Sequence, residues 1–109
     1  MAEAFKNAYL NITDSVQTIY TNSSGGASIV YTLRITNVDG TSADTITAEV
    51  VDGSSGDAKI AHVMTVNAGA SLELAGESKI NLENGDMIKL TGGAASGDLE
   101  AFLSCVEIT

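Results

Sequence analysis

The sequence has no proline, no tryptophan, one cysteine, one histidine and only five basic residues, and each shortage removes a class of protein. A lone Cys105 cannot close an internal disulfide, so a cross-linked framework is excluded. One His62 beside one thiol falls short of the three protein ligands that zinc requires. The cations Lys6, Arg34, Lys59, Lys79 and Lys89 are scattered along the chain and face fourteen carboxylates. The resulting net charge of −9 repels phosphate backbones and anionic lipid, and no basic stripe can form, so neither nucleic acid nor a membrane surface is an expected partner. No stretch approaches the roughly eighteen consecutive apolar residues of a helical membrane span. The start Met1-Ala2-Glu3-Ala4-Phe5-Lys6 lacks the apolar run of a secretion signal, which predicts synthesis in a reducing cytoplasm. Asn11-Ile12-Thr13 and Asn22-Ser23-Ser24 match the glycosylation acceptor pattern, but without export they read as polar turns.

What is present is Val, Ile and Leu interleaved with Ser, Thr, Asn and Gly, the composition of short strands joined by tight turns. A length of 109 residues suits one core and leaves no room for a second catalytic lobe. Apolar residues recur at a period of two in runs bounded by Gly, Asn, Asp and Ser. This spacing predicts strands over 5–12, 16–21, 27–37, 45–51, 58–66, 71–74, 79–82, 87–91 and 99–108. Eight or nine short strands predict an all-β fold, a two-sheet antiparallel β-sandwich of jelly-roll-like form, preceded by a short N-terminal arm over 1–6.

Along the third segment Ile29, Tyr31, Leu33 and Ile35 are expected on one face, the core, with Thr32, Arg34 and Thr36 on the wet face. Asp39-Gly40 reads as a turn into Ile46, Ala48 and Val50, and Asn84-Gly85 as a hairpin turn joining Ile80 and Leu82 to Ile88 and Leu90. Two segments are apolar on both faces: Ala58, Ile60, His62, Met64 and Val66 oppose Ala61 and Val63, and Leu99, Ala101, Leu103 and Cys105 oppose Phe102, Val106 and Ile108. Such a strand is either central in a sandwich or covered by another chain. With no proline to protect sheet edges, that protection must come from charge, bulges or a partner.

No catalytic constellation emerges. Cys105 and His62 sit mid-strand among apolar neighbours, so the thiol reads as a small hydrophobe and the imidazole as a core or interface side chain. Asp39, Asp44, Asp52, Asp57, Asp86 and Asp98 supply oxygen ligands in or beside loops, without the spacing of a twelve-residue calcium loop. Glu49, Glu73, Glu83 and Glu100 offer carboxylates for glycoside chemistry by number alone, and Phe5, Tyr9, Tyr20, Tyr31 and Phe102 make a sparse aromatic platform for sugars. Gly25-Gly26 and Gly92-Gly93 lack the Lys-Ser/Thr pair of a phosphate loop. The expectation is a non-enzyme with no catalytic, metal or cofactor residues.

The run Val66-Asn67-Ala68-Gly69-Ala70-Ser71-Leu72-Glu73-Leu74, then Lys79-Ile80-Asn81-Leu82-Glu83-Asn84-Gly85-Asp86-Met87-Ile88-Lys89-Leu90, resembles small structural proteins of tailed bacteriophages. In these, an apolar strand, an Ala-Gly turn, a short strand and an L-x-x-G-D-x-I hairpin precede a final strand with an acidic-apolar tail, here Ser104-Cys105-Val106-Glu107-Ile108-Thr109. The resemblance implies a virion component, foremost a decoration or cement protein that binds the major capsid protein or another virion protein on the outer head surface, forms a homotrimer and stiffens the shell. Its alternative is an adaptor module at the tail, neck or fibre base; a carbohydrate- or calcium-binding β-sandwich is more remote. Net negative charge independently favours the outside of a DNA-filled particle. Partner contacts are expected from the arm (Ala2, Glu3, Phe5, Lys6), the glycine-rich loops (Ser54, Ser55) and the final strand (Phe102, Val106, Ile108).

Overall fold

A computed structural model describes residues 2–52, 56–94 and 98–109. Among these residues there are nine strands: β1 (Glu3–Ile12), β2 (Gln17–Thr21), β3 (Ala27–Asn37), β4 (Asp44–Val51), β5 (Asp57–Val66), β6 (Ser71–Glu73), β7 (Ile80–Leu82), β8 (Met87–Gly92) and β9 (Leu99–Ile108). They follow the predicted segments to within a residue or two, because alternation of branched and small polar residues is itself the signal of a half-buried strand. No helix of the described residues is long and apolar enough to cross a membrane. Of the expected arm, Met1 lies outside the described residues, Ala2 exchanges backbone hydrogen bonds with Thr109, and Glu3 to Lys6 are part of the sandwich in β1.

The strands form two antiparallel sheets, one ordered β1-β9-β3-β6 with β7 also on β3, the other β2-β8-β4-β5. Pairing is nested: β1 with β9, β2 with β8, β3 with β6 and β7, β4 with β5. Coiling one long antiparallel ribbon over itself produces this order, so the sandwich is a jelly roll. Most consecutive strands therefore lie in opposite sheets, and this corrects one expectation. Asn84-Gly85 does not close a hairpin, since β7 pairs in one sheet and β8 in the other. A two-residue type I′ hairpin needs positive φ at both central residues. Here only Gly85 of the pair has one, at 96°, and the resulting turn carries the chain across the sandwich.

Between the sheets lies an aliphatic core of Ile12, Val30, Leu33, Ile35, Ile46, Leu82, Ile88, Leu90, Leu99 and Leu103, all fully buried, with Cys105 among them. Each such side chain contributes about 1.5–3 kcal/mol relative to exposure. Aromatic rings are absent from this buried cluster; Tyr20 only packs against its rim. The expected single face Ile29-Tyr31-Leu33-Ile35 is broken, because the ladder to β9 slips between Val30 and Thr32. Before the slip Ser28 and Val30 point inward; after it Leu33, Ile35 and Asn37 do. A bulge adds one residue and so exchanges the faces. At the same level β6 and β7 separate, and the Glu73 carboxylate fills the gap, accepting hydrogen bonds from the amides of Leu33 (2.8 Å), Ala75 (3.1 Å) and Gly76 (3.2 Å).

Two buried asparagines tie the loops at opposite ends. Asn22 Nδ2 donates to the carbonyls of Gly26 (2.9 Å) and Leu82 (3.0 Å) while its Oδ1 accepts from Ser24. Asn37 Nδ2 donates to Ser42 (2.9 Å) and Val66 (3.0 Å) while its Oδ1 accepts from the Asp39 amide. Close approach at the first of these ends explains Gly26, where a Cβ would collide with the Ile108 carbonyl.

Candidate docking face

On β1 the period of two sends Ala8, Leu10 and Ile12 toward the core and leaves Glu3, Phe5, Asn7, Tyr9 and Asn11 on the outer face of the five-stranded sheet. Register extends this face across three strands. Phe5 lies opposite Val106, which lies opposite Ile29; Tyr9 lies opposite Phe102, which lies opposite Arg34; Glu3 lies opposite Ile108. The bulged Tyr31 joins them, its ring meeting Phe5 edge-on at 6.4 Å, while Tyr9 and Phe102 stack at a tilt with centroids 5.3 Å apart. Four of the five aromatic residues thus lie outside the core. Phe5 and Tyr9 are 71% and 72% exposed, too open for their rings to stabilise the folded chain much. Asn7 accepts a 2.8 Å hydrogen bond from the Ser104 hydroxyl between them. Beside Tyr9 and Phe102 an open cleft of about 580 Å³ is lined also by Asn11, Arg34, Thr36 and Glu100.

Of the residues expected to touch partners, Glu3, Phe5, Phe102, Val106 and Ile108 come together on this face. Lys6 points to the other side of β1, where its ammonium meets Glu107 at 3.2 Å. Ala2 is exposed and bonded through its backbone to Thr109. Ser54 and Ser55 lie outside the described residues. Sequence reasoning did not assign Tyr9, Ile29 and Tyr31 to the face. The first was within reach, since Phe5 and Tyr9 are four residues apart and share a side of any strand. The other two were hidden by the bulge.

Glu107 is turned inward at the edge of the core, where Tyr20 donates to it at 2.6 Å and the Ser28 hydroxyl lies 2.9 Å from the Tyr20 oxygen. The Tyr20 hydrogen bond, reinforced by Lys6, holds the Glu107 carboxyl below its ordinary range against the opposing effect of burial. Desolvation and the bond to Glu107 together push the Tyr20 phenol far above its own. Such a pair is a structural tie at the sandwich rim; the acid is locked between donors and faces no cleft.

The groups weighed for chemistry are dispersed. Cys105 is buried in the core of one sheet, whereas His62, expected in the core or an interface, is exposed on β5 of the other. Glu49 is bound to Lys59 at 2.8 Å, Glu73 caps backbone amides, Glu83 is exposed, and Glu100 borders the cleft. Asp39 accepts from the Thr41 amide and hydroxyl, which lowers its pKa, and Asp86 accepts from the Glu83 amide. Among the described residues no three of His, Cys, Asp and Glu assemble into a metal-binding group.

No protein-family profile and no curated protein matches the chain in sequence. Solved structures do match in shape. A protein of Bacillus endospore appendages, described as forming a novel family of disulfide-linked pili, superposes with a TM-score of 0.53 over 96% of this chain and 85% of its own, at 15% identity. An infectious bursal disease virus (Gx strain) structure gives a TM-score of 0.49 at 12% identity, covering 97% of this chain and 29% of the viral one. The first likeness establishes the shared fold.

Proposed function

We propose that the chain is a non-enzymatic structural subunit of a virus particle, and specifically a decoration protein seated on the outer surface of a tailed-phage head. The observation that carries this reading is the outer face of the five-stranded sheet, where Phe5, Tyr9, Tyr31, Phe102 and Val106 gather outside the core and Phe5 and Tyr9 are more exposed than any other large apolar side chain among the described residues. Aromatic side chains that are not needed for folding are the side chains that anchor protein interfaces. A net charge of −9 suits the outside of a DNA-filled shell. Repetition over a lattice multiplies weak contacts, so a modest face suffices. The partner in this reading is the major capsid protein; the tail, neck or fibre base is the alternative site.

The pilus neighbour supports a subunit role through its fold, but the disulfide linkage belongs to that protein. Here the single thiol, Cys105, is fully buried and cannot reach another chain. The homotrimer implied by the phage resemblance would have to close through outer faces, since three of the four outer strands of the sheets are interrupted. A second reading is favoured by the cleft: Tyr9 and Phe102 beside Arg34, Glu100, Asn11 and Thr36 offer a stacking surface with hydrogen-bonding groups, as a saccharide requires.

Labelled protein incubated with intact particles tests both placements by electron microscopy. Label over the head faces, lost in Phe5→Ala/Phe102→Ala, is the expected result. Label at one vertex would favour the alternative site, and absence of label with saturable binding of a polysaccharide would favour the second reading.

A further inference from the structure

We propose that β1 is a self-association edge: two copies pair their β1 strands antiparallel about a two-fold axis at Asn7, so that the five-stranded sheet of one copy continues into that of the other. This deepens the reading of the chain as an assembly subunit by naming a second copy as occupant of that edge. An outer strand with regular geometry presents a row of unpaired backbone donors and acceptors, and soluble proteins usually interrupt such edges. Three of the four edges here are interrupted. β2 is five residues long and slips between Thr18 and Tyr20. β5 slips twice against β4 and carries Val63 at φ 48°. On the far side of the larger sheet, β6 and β7 are split by 74–79. β1 differs: all ten residues pair with β9 in one unbroken register, and no strand of the described residues lies on its other side.

Head-to-tail pairing of edges would need a second open edge, and among the described residues none is as long or regular. The edge that fits β1 is therefore β1 of another copy, which makes the contact isologous. Antiparallel neighbours place their side chains on the same face, so outer residues must oppose outer residues. Centring on Asn7 uses almost the whole strand and sets Phe5 opposite Tyr9 of the second copy twice over, the aromatic cross-strand pairing that stabilises sheets. In that register Lys6 faces Ala8 and Glu3 faces Asn11, so no like charges meet. β1 holds one Glu and one Lys, a neutral strip on a chain of net charge −9, which lets two such copies approach.

Sedimentation equilibrium of the full chain tests the proposal. A monomer–dimer equilibrium is expected, weakened at least tenfold by Phe5→Lys or by Tyr9→Glu alone, and restored in the double variant, whose opposite charges face each other across the axis. Circular dichroism and the unfolding midpoint of the monomer should be unchanged in all three, because both rings are exposed. Under oxidising conditions Asn7→Cys should cross-link into a dimer, since directly opposed strand residues lie within disulfide reach, and Asn11→Cys should not. A strictly monomeric protein, an oligomer indifferent to Phe5→Lys, or equal cross-linking from both cysteine positions would overturn the pairing. Particle labelling is scored separately: a monomer that still coats particles removes this inference and leaves the functional reading standing.

Discussion

β5 and β9 carry the same sequence pattern, apolar on both faces, and the fold puts them in opposite situations. β9 is the central strand between β1 and β3, with Leu99, Leu103 and Cys105 fully buried and its second face forming the middle of the aromatic patch. β5 is an outer strand of the other sheet, with Val63 and Met64 56% and 43% exposed and His62 exposed beside them. Double-faced apolarity thus reports burial in one strand and an uncovered surface in the other. What separates them is strand order, which local pattern does not encode.

The sharpest way to break the contrast is by truncation. Leu103→Ala on β9 should cost about 2–5 kcal/mol in chemical denaturation, because it opens a cavity at a fully buried site; a cost near zero would mean that β9 does not anchor the core. Next comes the inner rim of β9. Tyr20→Phe removes the hydrogen bond to the Glu107 carboxylate and should cost about 1.5–3 kcal/mol near neutral pH. The same tie predicts an acid limit. The folded pKa of Glu107 lies below its ordinary 4.5, so its contribution is fully present above about that pH and is lost as pH falls through the folded value. In Tyr20→Phe the folded pKa moves back toward the ordinary value, so the stability lost on going from neutral to acid pH should be smaller than in the wild type, which denaturation series at several pH values would reveal.

On β5 the sign should reverse. Val63 is a β-branched residue in the left-handed region, bonded through its amide to the Thr47 hydroxyl at 3.0 Å. Val63→Gly should therefore raise stability by about 1 kcal/mol through relief of backbone strain. A loss instead would show that its exposed side chain is covered in the native assembly. Smallest of all is Lys59→Ala, which removes an exposed ammonium from its pair with the half-buried Glu49 across β4 and β5. No measurable shift in the midpoint is expected.

Strand positions were legible because Val, Ile and Leu alternate with small polar residues throughout, and the two-sheet architecture followed from their number. Sheet membership was not legible. Asn84-Gly85 has the composition of a hairpin turn, yet nested pairing sends β7 and β8 to different sheets, a choice made by contacts between residues far apart in the chain. The face of β3 was misjudged for the same reason: the bulge at Tyr31 is set by its neighbours β6, β7 and β9, and leaves no mark on the alternation of β3 itself. Asn22 reads as a polar turn residue and Asn37 as the polar end of a strand, and both are fully buried. A recognisable trace existed in both, an Asn closing a strand with its side chain accepting from the amide two residues on.

For the docking face, the sequence supplied Phe5, Phe102, Val106 and Ile108 from surplus apolarity, and these do converge. It could not supply Tyr31 or Ile29, whose orientation depends on the slipped register, nor separate Lys6, which turns inward to Glu107.

Nested pairing also fixes the timing of folding. The strand at the middle of the larger sheet is made from residues 99–108, so a nascent chain emerging from the ribosome holds β1 and β3 without the partner that joins them. The sides of β1 and β3 that face β9 cannot be satisfied until synthesis has passed that point, and pairings of such long sequence separation form slowly. The larger sheet is therefore expected to close last, with an interval in which β1 and β3 are open to neighbouring nascent copies.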